Sequence, residues 1–271
     1  MAAHPLEKNS LEELELRMQQ ACANLDHDIF IDVGSVRYSL IQETMKTYPG
    51  GGLIGNIHRA LLTGQARSLR TVQLLTMRGY PQDAAAVTRI ALERAYQQSF
   101  INKDQRRAEE WVNHANEKEN FQTHFNCVNS TLRRWHMGTP EAELKDLVQK
   151  GMDLYKDISA YTHSNPVVTK GLDLRLFEGH HTWTPTPNFT VDGFIQCGRL
   201  MLATHRCAEI AILSTVFARA SSKSEVDSWH DRVSELSRLR QTAQLRLATL
   251  EGNAEQRKFV DRELQQALHA N

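Results

Sequence analysis

Two groups of side chains in this 271-residue chain have the types and spacing for chemistry. Arg89 and Glu93 stand four residues apart in a stretch whose apolar face is set by Ala85, Ala86, Leu92, Tyr96 and Phe100. On a helix both fall on or beside that face, half buried. An isolated charge in such surroundings is strongly disfavoured, so the two must pair or find other partners. The result is either an internal salt bridge that fixes helix packing or a polar hole that takes an anion. The second group is Tyr155, Ser159 and His163, again four apart, with Asp157 and Tyr161 between them and Asn165-Pro166 closing the helix. These three share one face, and the helix dipole favours a charged histidine at the C-terminal end. A catalytic serine also needs an orienting acid and an oxyanion hole, which the spacing does not supply, so His163 reads as a structural or ligand-contacting residue. Two helices that each carry polar groups on a core-facing side are most simply satisfied by each other. Arg89, Glu93, Ser159 and His163 are therefore expected to meet in one central pocket and to hold whatever catalysis there is, with Tyr155 as a ligand contact.

A third pattern is electrostatic. Between residues 59 and 94 the chain carries Arg59, Arg67, Arg70, Arg78, Arg89 and Arg94 against only Asp83 and Glu93. Arg67, Arg70 and Arg78 lie on neighbouring turns, and such a strip either is a solvated face or holds phosphates, which guanidinium groups bind bidentately. No metal is expected. His180 and His181, joined by His163 and Cys197 or by His205 and Cys207, match no zinc spacing. No nucleotide cofactor is expected either, since the glycines at 50–52 and 55 lack a following Lys-Ser or Lys-Thr and a preceding strand.

The elements that must position these residues are helical. Ser10 with Glu13 reads as a capping box opening a helix that runs to about Leu25. A second helix, over roughly 35–48, is stopped by Pro49 and three glycines. Further helices are predicted over 53–78, 82–101, 105–134 and 139–161, with Gly79 and Pro81 separating the first two of these. Over 167–191 the period changes to two, with Leu172, Leu174 and Leu176 alternating with charged residues, which predicts a short strand or hairpin. Helix returns over 191–219. Ser222 with Glu225 caps a long final one, whose seam Val226, Trp229, Val233, Leu236, Ala243, Leu247 and Leu250 is interrupted only by Arg240. That seam either packs on the body of its own chain or builds a homodimer. The expected architecture is an all-α helical bundle with a small β-hairpin insertion: an N-terminal arm (1–52), a helical core (53–220) and a C-terminal long helix and tail (221–271).

Composition narrows the partners. Thirty-two basic and 32 acidic residues cancel, so any nucleic-acid face must be local. No apolar run approaches the roughly 18 uncharged residues of a membrane span, since even 207–217 carries Glu209, and no secretory signal opens the chain. Four cysteines without a Cys-x-x-Cys pair suit reduced thiols, which together predict a cytoplasmic protein with no membrane partner.

Ala60-Leu61-Leu62, Ser68, Leu74-Leu75, Gly79, Asp83-Ala84, Arg89 and Glu93, followed by Tyr155, Ser159 and His163, carry a resemblance. The pattern resembles the bacterial family designated domain of unknown function fifty-six seventy-seven, in which an Arg-x3-Glu helix follows a small-residue turn and a Ser-x3-His helix comes later. The likeness spans about three fifths of the chain, residues 57–217, and brings no activity with it. In general character it is similar to helical abortive-infection and HEPN proteins, a likeness of fold. HEPN ribonucleases use an arginine followed by four to six residues and then a histidine. Here that spacing occurs at Arg107/His114, Arg175/His180, Arg175/His181, Arg199/His205 and Arg262/His269, where the arginine and histidine frequencies predict about three by chance. Arg199 with His205 sits best, on a helix, although Leu200 stands where that family often has a polar residue. Such a pair moves protons at a phosphate only in a groove, commonly at a dimer interface.

Two functions follow as expectations. One is a bacterial stress or phage-defence factor that binds RNA phosphate or an anionic small molecule in an interhelical pocket, with metal-independent ribonuclease activity as its catalytic form. The other is a non-catalytic interaction or scaffold protein.

Overall fold

The computed structural model describes residues 10–26, 28–113, 124–135, 138–162 and 187–269. Among them the fold is all-α, and no strand occurs. The helices are α1 (Leu11–Leu25), α2 (Val33–Thr47), α3 (Gly52–Met77), α4 (Pro81–Ile101), α5 (Gln105–Asn113), α6 (His124–Trp135), α7 (Glu141–Thr162), α8 (Val191–Arg219), α9 (Lys223–Gly252) and α10 (Ala254–His269). A single π-helical turn, Asp28–Asp32, leads directly into α2.

Local chemistry explains the boundaries. Ser10 and Glu13 form the reciprocal box, with Ser10 N–H donating to the Glu13 carboxylate at 2.8 Å and Glu13 N–H to Ser10 Oγ at 3.2 Å. Gly79 adopts φ +79°, Tyr80 N–H reaches back to the Leu75 carbonyl, and Pro81 starts α4 where its missing N–H has no partner to lose. Thr190 caps α8 through Gly193 N–H at 3.0 Å, and Ser222 caps α9 through Glu225 N–H at 3.2 Å.

The centre is built by α3, α4 and α8, each packed along its length against the other two. Around it, α2 leans on α3 and α8, α9 on α8, α6 and α7 on α4, and α1 on α10 and α3. By length and composition α8 is apolar enough to cross a membrane, and 83% of its apolar window is buried inside the bundle. A largely apolar helix at the centre of a bundle produces that pattern.

Several expectations change. The predicted hairpin lies almost wholly outside the described residues; 187–190 form an extended lead-in, tied down by Asn188 N–H to the Gly79 carbonyl at 2.9 Å. Of the polar helix expected over 105–134, the described residues show α5 and α6, and 114–123 lie outside them. The long final helix ends at Gly252, and the expected tail forms a further helix. Asn253 turns its side-chain oxygen to Glu255 N–H (3.1 Å) and Gln256 N–H (3.0 Å), capping a new helix immediately after Gly252. The seam residues Trp229, Val233, Leu236, Ala243, Leu247 and Leu250 are all buried within the chain's own bundle.

Candidate functional site

Arg89 on α4 and Tyr155 on α7 do come together. Arg89 Nε donates to Glu93 Oε1 at 3.1 Å, Arg89 Nη2 to the Tyr155 hydroxyl at 3.0 Å, and that hydroxyl to Glu93 Oε1 at 3.0 Å. The guanidinium also lies 5.3 Å from the centre of the Tyr155 ring. Burial works against the Arg89 charge, but the hydrogen bonds to Glu93 and Tyr155 outweigh it and hold the pKa above its ordinary value. Among the described residues these three groups form a triangle that links α4 to α7, with the arginine side chain a quarter exposed. Ser159 follows one turn after Tyr155, half buried, and His163 lies outside the described residues.

The Arg199 and His205 side chains point to different surroundings. Six residues on a helix turn through about 600°, so the two project some 120° apart. Arg199 is exposed and ion-paired with Glu251, whereas His205 has no exposed surface at all. Among the described residues neither imidazole nitrogen of His205 has a hydrogen-bond partner. Burial, then the nearby Arg37, push its pKa well below the usual histidine range; the Ile29 backbone opposes this without completing a bond of good geometry.

One turn after His205 comes a network that sequence reasoning did not assemble. The side chain of Arg37 on α2 is wholly buried. Its Nη2 donates to Glu209 Oε1 at 2.6 Å and to the Leu236 carbonyl at 2.7 Å, its Nε to Glu209 Oε1 at 3.2 Å, and its Nη1 to the Val33 carbonyl at 3.3 Å. Ser237 donates to Glu209 Oε2 at 2.9 Å, and Arg240 Nε reaches both carboxylate oxygens at 3.2 Å. This cluster ties α2, α8 and α9 together. A second polar cross-link, deeper in the bundle, joins α3, α4 and α8. His58 Nε2 donates to the Asn102 carbonyl at 3.1 Å, and Gln98 Nε2 lies 3.2 Å from His58 Nδ1 and donates to Thr215 Oγ1 at 2.6 Å. Burial lowers the His58 pKa to about 4, with Arg219 adding to the shift.

The arginine strip lies on α3. This helix has no Asp or Glu in its 26 residues, and Arg59, Arg67 and Arg70 are all exposed on it. Two neighbouring helices add a guanidinium each by lying against a glycine. Arg94 of α4 donates to the Gly64 carbonyl at 3.1 Å and to Ser68 Oγ at 3.0 Å, and a Cβ on Gly64 would meet its guanidinium at 3.1 Å. Arg219 of α8 rests on Gly55, where a Cβ would come within 3.0 Å of Nη1, and donates to the Gly51 carbonyl at 3.4 Å. Arg70 donates to Gln73 Oε1 at 2.9 Å. Among the described residues no carboxylate pairs with Arg59, Arg67, Arg70, Arg94 or Arg219, whereas Arg78, at the end of the strip, is held by Glu15 at 3.2 Å. Arg219 was not readable as a member of this face; its only written trace is Gly55.

Among the described residues no three histidine, cysteine or acidic side chains converge as metal ligands. All four cysteines are buried free thiols, and burial raises their pKa, to about 12 for Cys127 and Cys207, which holds them protonated and unreactive. Comparison of the chain with protein-family models, curated proteins and solved structures gave no match.

Proposed function

We propose that this protein binds a phosphate polymer, RNA in the first instance, along the arginine face of α3, without cutting it. The observation that carries the reading is the run of guanidinium groups that lack carboxylate partners among the described residues: Arg59, Arg67 and Arg70 on α3, flanked by Arg94 and Arg219. Elsewhere on the surface Arg133, Arg199, Arg232, Arg246 and Arg257 each hold an acid. A chain with no net charge that gathers three unmatched arginines within 12 residues of a helix that has no Asp or Glu concentrates its positive field there. Arg59 to Arg70 spans about 16 Å at 1.5 Å per residue, enough for several consecutive phosphates. The face has no proton carrier of its own, because the single histidine of α3, His58, is sealed in the core and neutral. In this reading the Arg89–Glu93–Tyr155 triangle positions helices and does no chemistry.

The test is fluorescence anisotropy with a labelled 20-nucleotide RNA between 50 and 200 mM salt, with a DNA duplex and inorganic phosphate as further arms. Each arginine that contacts a phosphate contributes about 0.7 to the slope of log K against log salt on a single strand. Arg67→Ala combined with Arg70→Ala is expected to flatten that slope by about 1.4, and Arg199→Ala to leave it unchanged. Equal slopes for all three proteins would overturn the reading.

A further inference from the structure

A cleft of about 500 Å³ opens where α1, the π-turn, α8, α9 and α10 meet. Its size falls within the range of roughly 300–1,000 Å³ typical of sites for small organic ligands. Its apolar lining comes from four helices, with Leu25, Phe194, Leu247, Leu250 and Val260, while Asp26, Asp28, Arg246 and Gln256 supply a nearly equal polar share. Phe259, on α10, also lines it and is 49% exposed, a large aromatic ring left uncovered beside a ready-made hollow. The Gly252–Asn253 break creates the concavity. It folds α10 back from α9, so that Leu247 and Leu250 before the break face the same space as Phe259 and Val260 after it.

The polar groups lining the cleft set the sign of the ligand. Arg246 is clamped at both ends of its fork, Nη2 by Asp26 Oδ1 at 3.0 Å and Nη1 by Asp28 Oδ2 at 3.0 Å. Both terminal nitrogens of its fork are thus already directed at carboxylates. Two carboxylates against one guanidinium leave a net charge of about −1 on this part of the lining. Asp28 is 58% exposed, and only its Oδ2 is engaged among the described residues, so its other oxygen faces solvent ready to accept. Asp26 spends Oδ1 on Arg246 and on Ile29 N–H at 3.2 Å, which fixes it to the start of the π-turn. Arg262, which stacks on Phe259 at 5.3 Å, is itself paired with Glu263 and adds no net positive charge.

We propose that this cleft binds a small amphipathic cation: an aromatic or branched aliphatic body seated among Phe194, Leu247, Val260 and Phe259, with a primary ammonium donating to Asp28. This site is independent of the arginine face and takes a ligand of the opposite charge.

The experiment uses the full chain and three probes of one shape: 1-naphthylmethylammonium, 1-naphthylmethanol and 1-naphthylacetate, titrated by calorimetry and followed by heteronuclear NMR. The expected order is ammonium first, the alcohol about fivefold weaker and the carboxylate weakest, in line with about 1 kcal/mol for an exposed charged contact. Asp28→Asn is expected to bring ammonium and alcohol to the same affinity without changing the alcohol. Val260→Trp, which fills the hollow, is expected to abolish saturable binding of all three while the circular dichroism stays that of the unmodified protein. If Val260→Trp fails to fold, Phe259→Ala supplies the second variant, with all three probes weakened in parallel. Equal affinity for ammonium and alcohol in the unmodified protein, tighter binding of the carboxylate, or no saturable binding at millimolar probe would each overturn the proposal.

Discussion

Arg37 and Glu209 meet 2.6 Å apart in a region that water does not reach, the arginine side chain with no exposed surface and the carboxylate with almost none. A second arginine, Arg240, covers the same carboxylate from α9 at 3.2 Å. Two cations therefore share one buried anion, and the carboxylate is the member the other two depend on. Burial alone pulls the Arg37 pKa down; the Glu209 charge and its hydrogen bond work to keep it protonated.

Glu209→Gln is expected to destabilise the protein by about 3–5 kcal/mol, because it strands a buried guanidinium. Arg240→Gln removes a partly exposed partner and is expected to cost about 1–2 kcal/mol. Urea unfolding of the two variants measures both. A smaller loss for Glu209→Gln than for Arg240→Gln would contradict the shared-anion description.

Acid should loosen the bundle before its surface carboxylates titrate. His58 has its pKa depressed to about 4 in the folded chain, against about 6.5 when unfolded, and His205 is shifted in the same direction. The unfolded state therefore binds protons first as the pH falls. The stabilisation from a neutral buried imidazole is complete above pH 6.5 and drains away between 6.5 and the folded value. Each of the two contributes up to about 1.4 kcal/mol per pH unit. Denaturation midpoints at pH 7, 6 and 5 are expected to fall steadily, and His58→Gln to make that decline shallower. A flat profile from pH 7 to 5 would show that neither ring is held neutral.

Tyr155→Phe separates the two readings of the Arg89 triangle. Losing the hydroxyl that bridges Arg89 and Glu93 is expected to lower stability by about 1 kcal/mol and to leave RNA affinity unchanged. A large loss of RNA binding with unchanged stability would return the ligand site to the space between α4 and α7.

Charge reversal on α3 gives the sharpest contrast on the surface. Arg67→Glu with Arg70→Glu is expected to weaken RNA binding at least about tenfold at 100 mM salt. Arg199→Glu on α8, where Glu251 already neutralises the arginine, is expected to change it less than about twofold. Similar losses for both proteins would point to a diffuse charge effect.

Much of the scaffold was written in local signals. The Ser10 box, the Gly79–Pro81 junction and the Trp229–Leu250 seam each need only a few neighbouring residues to be understood, and each forms. What the sequence marked but did not join was the buried ion network. Glu209 stood out as an acid in an apolar stretch and Arg240 as the interruption of a seam, yet they lie 31 residues apart and nothing local says that they touch. Arg37 carried no mark, because an arginine on an amphipathic helix is ordinary until its surroundings are known. The spacing of Arg199 and His205 ignored helix rotation, which sends one to solvent and the other to the core. The segment after the seam was read only as a tail, although Asn253 can cap a new helix immediately after Gly252. His163 and most of the expected hairpin fall outside the described residues.

The central position of α8 also sets the order in which this protein can be completed on the ribosome. The inner sides of α3 and α4 close upon a helix that begins about 90 residues after α4 ends. At a synthesis rate of about 5–20 residues per second, those two helices wait on the order of 5–18 s for their missing wall. During that interval a nascent chain has the greasy flank of a half-built bundle turned toward solvent, which makes this stretch of translation the moment at which a holding chaperone has most to protect.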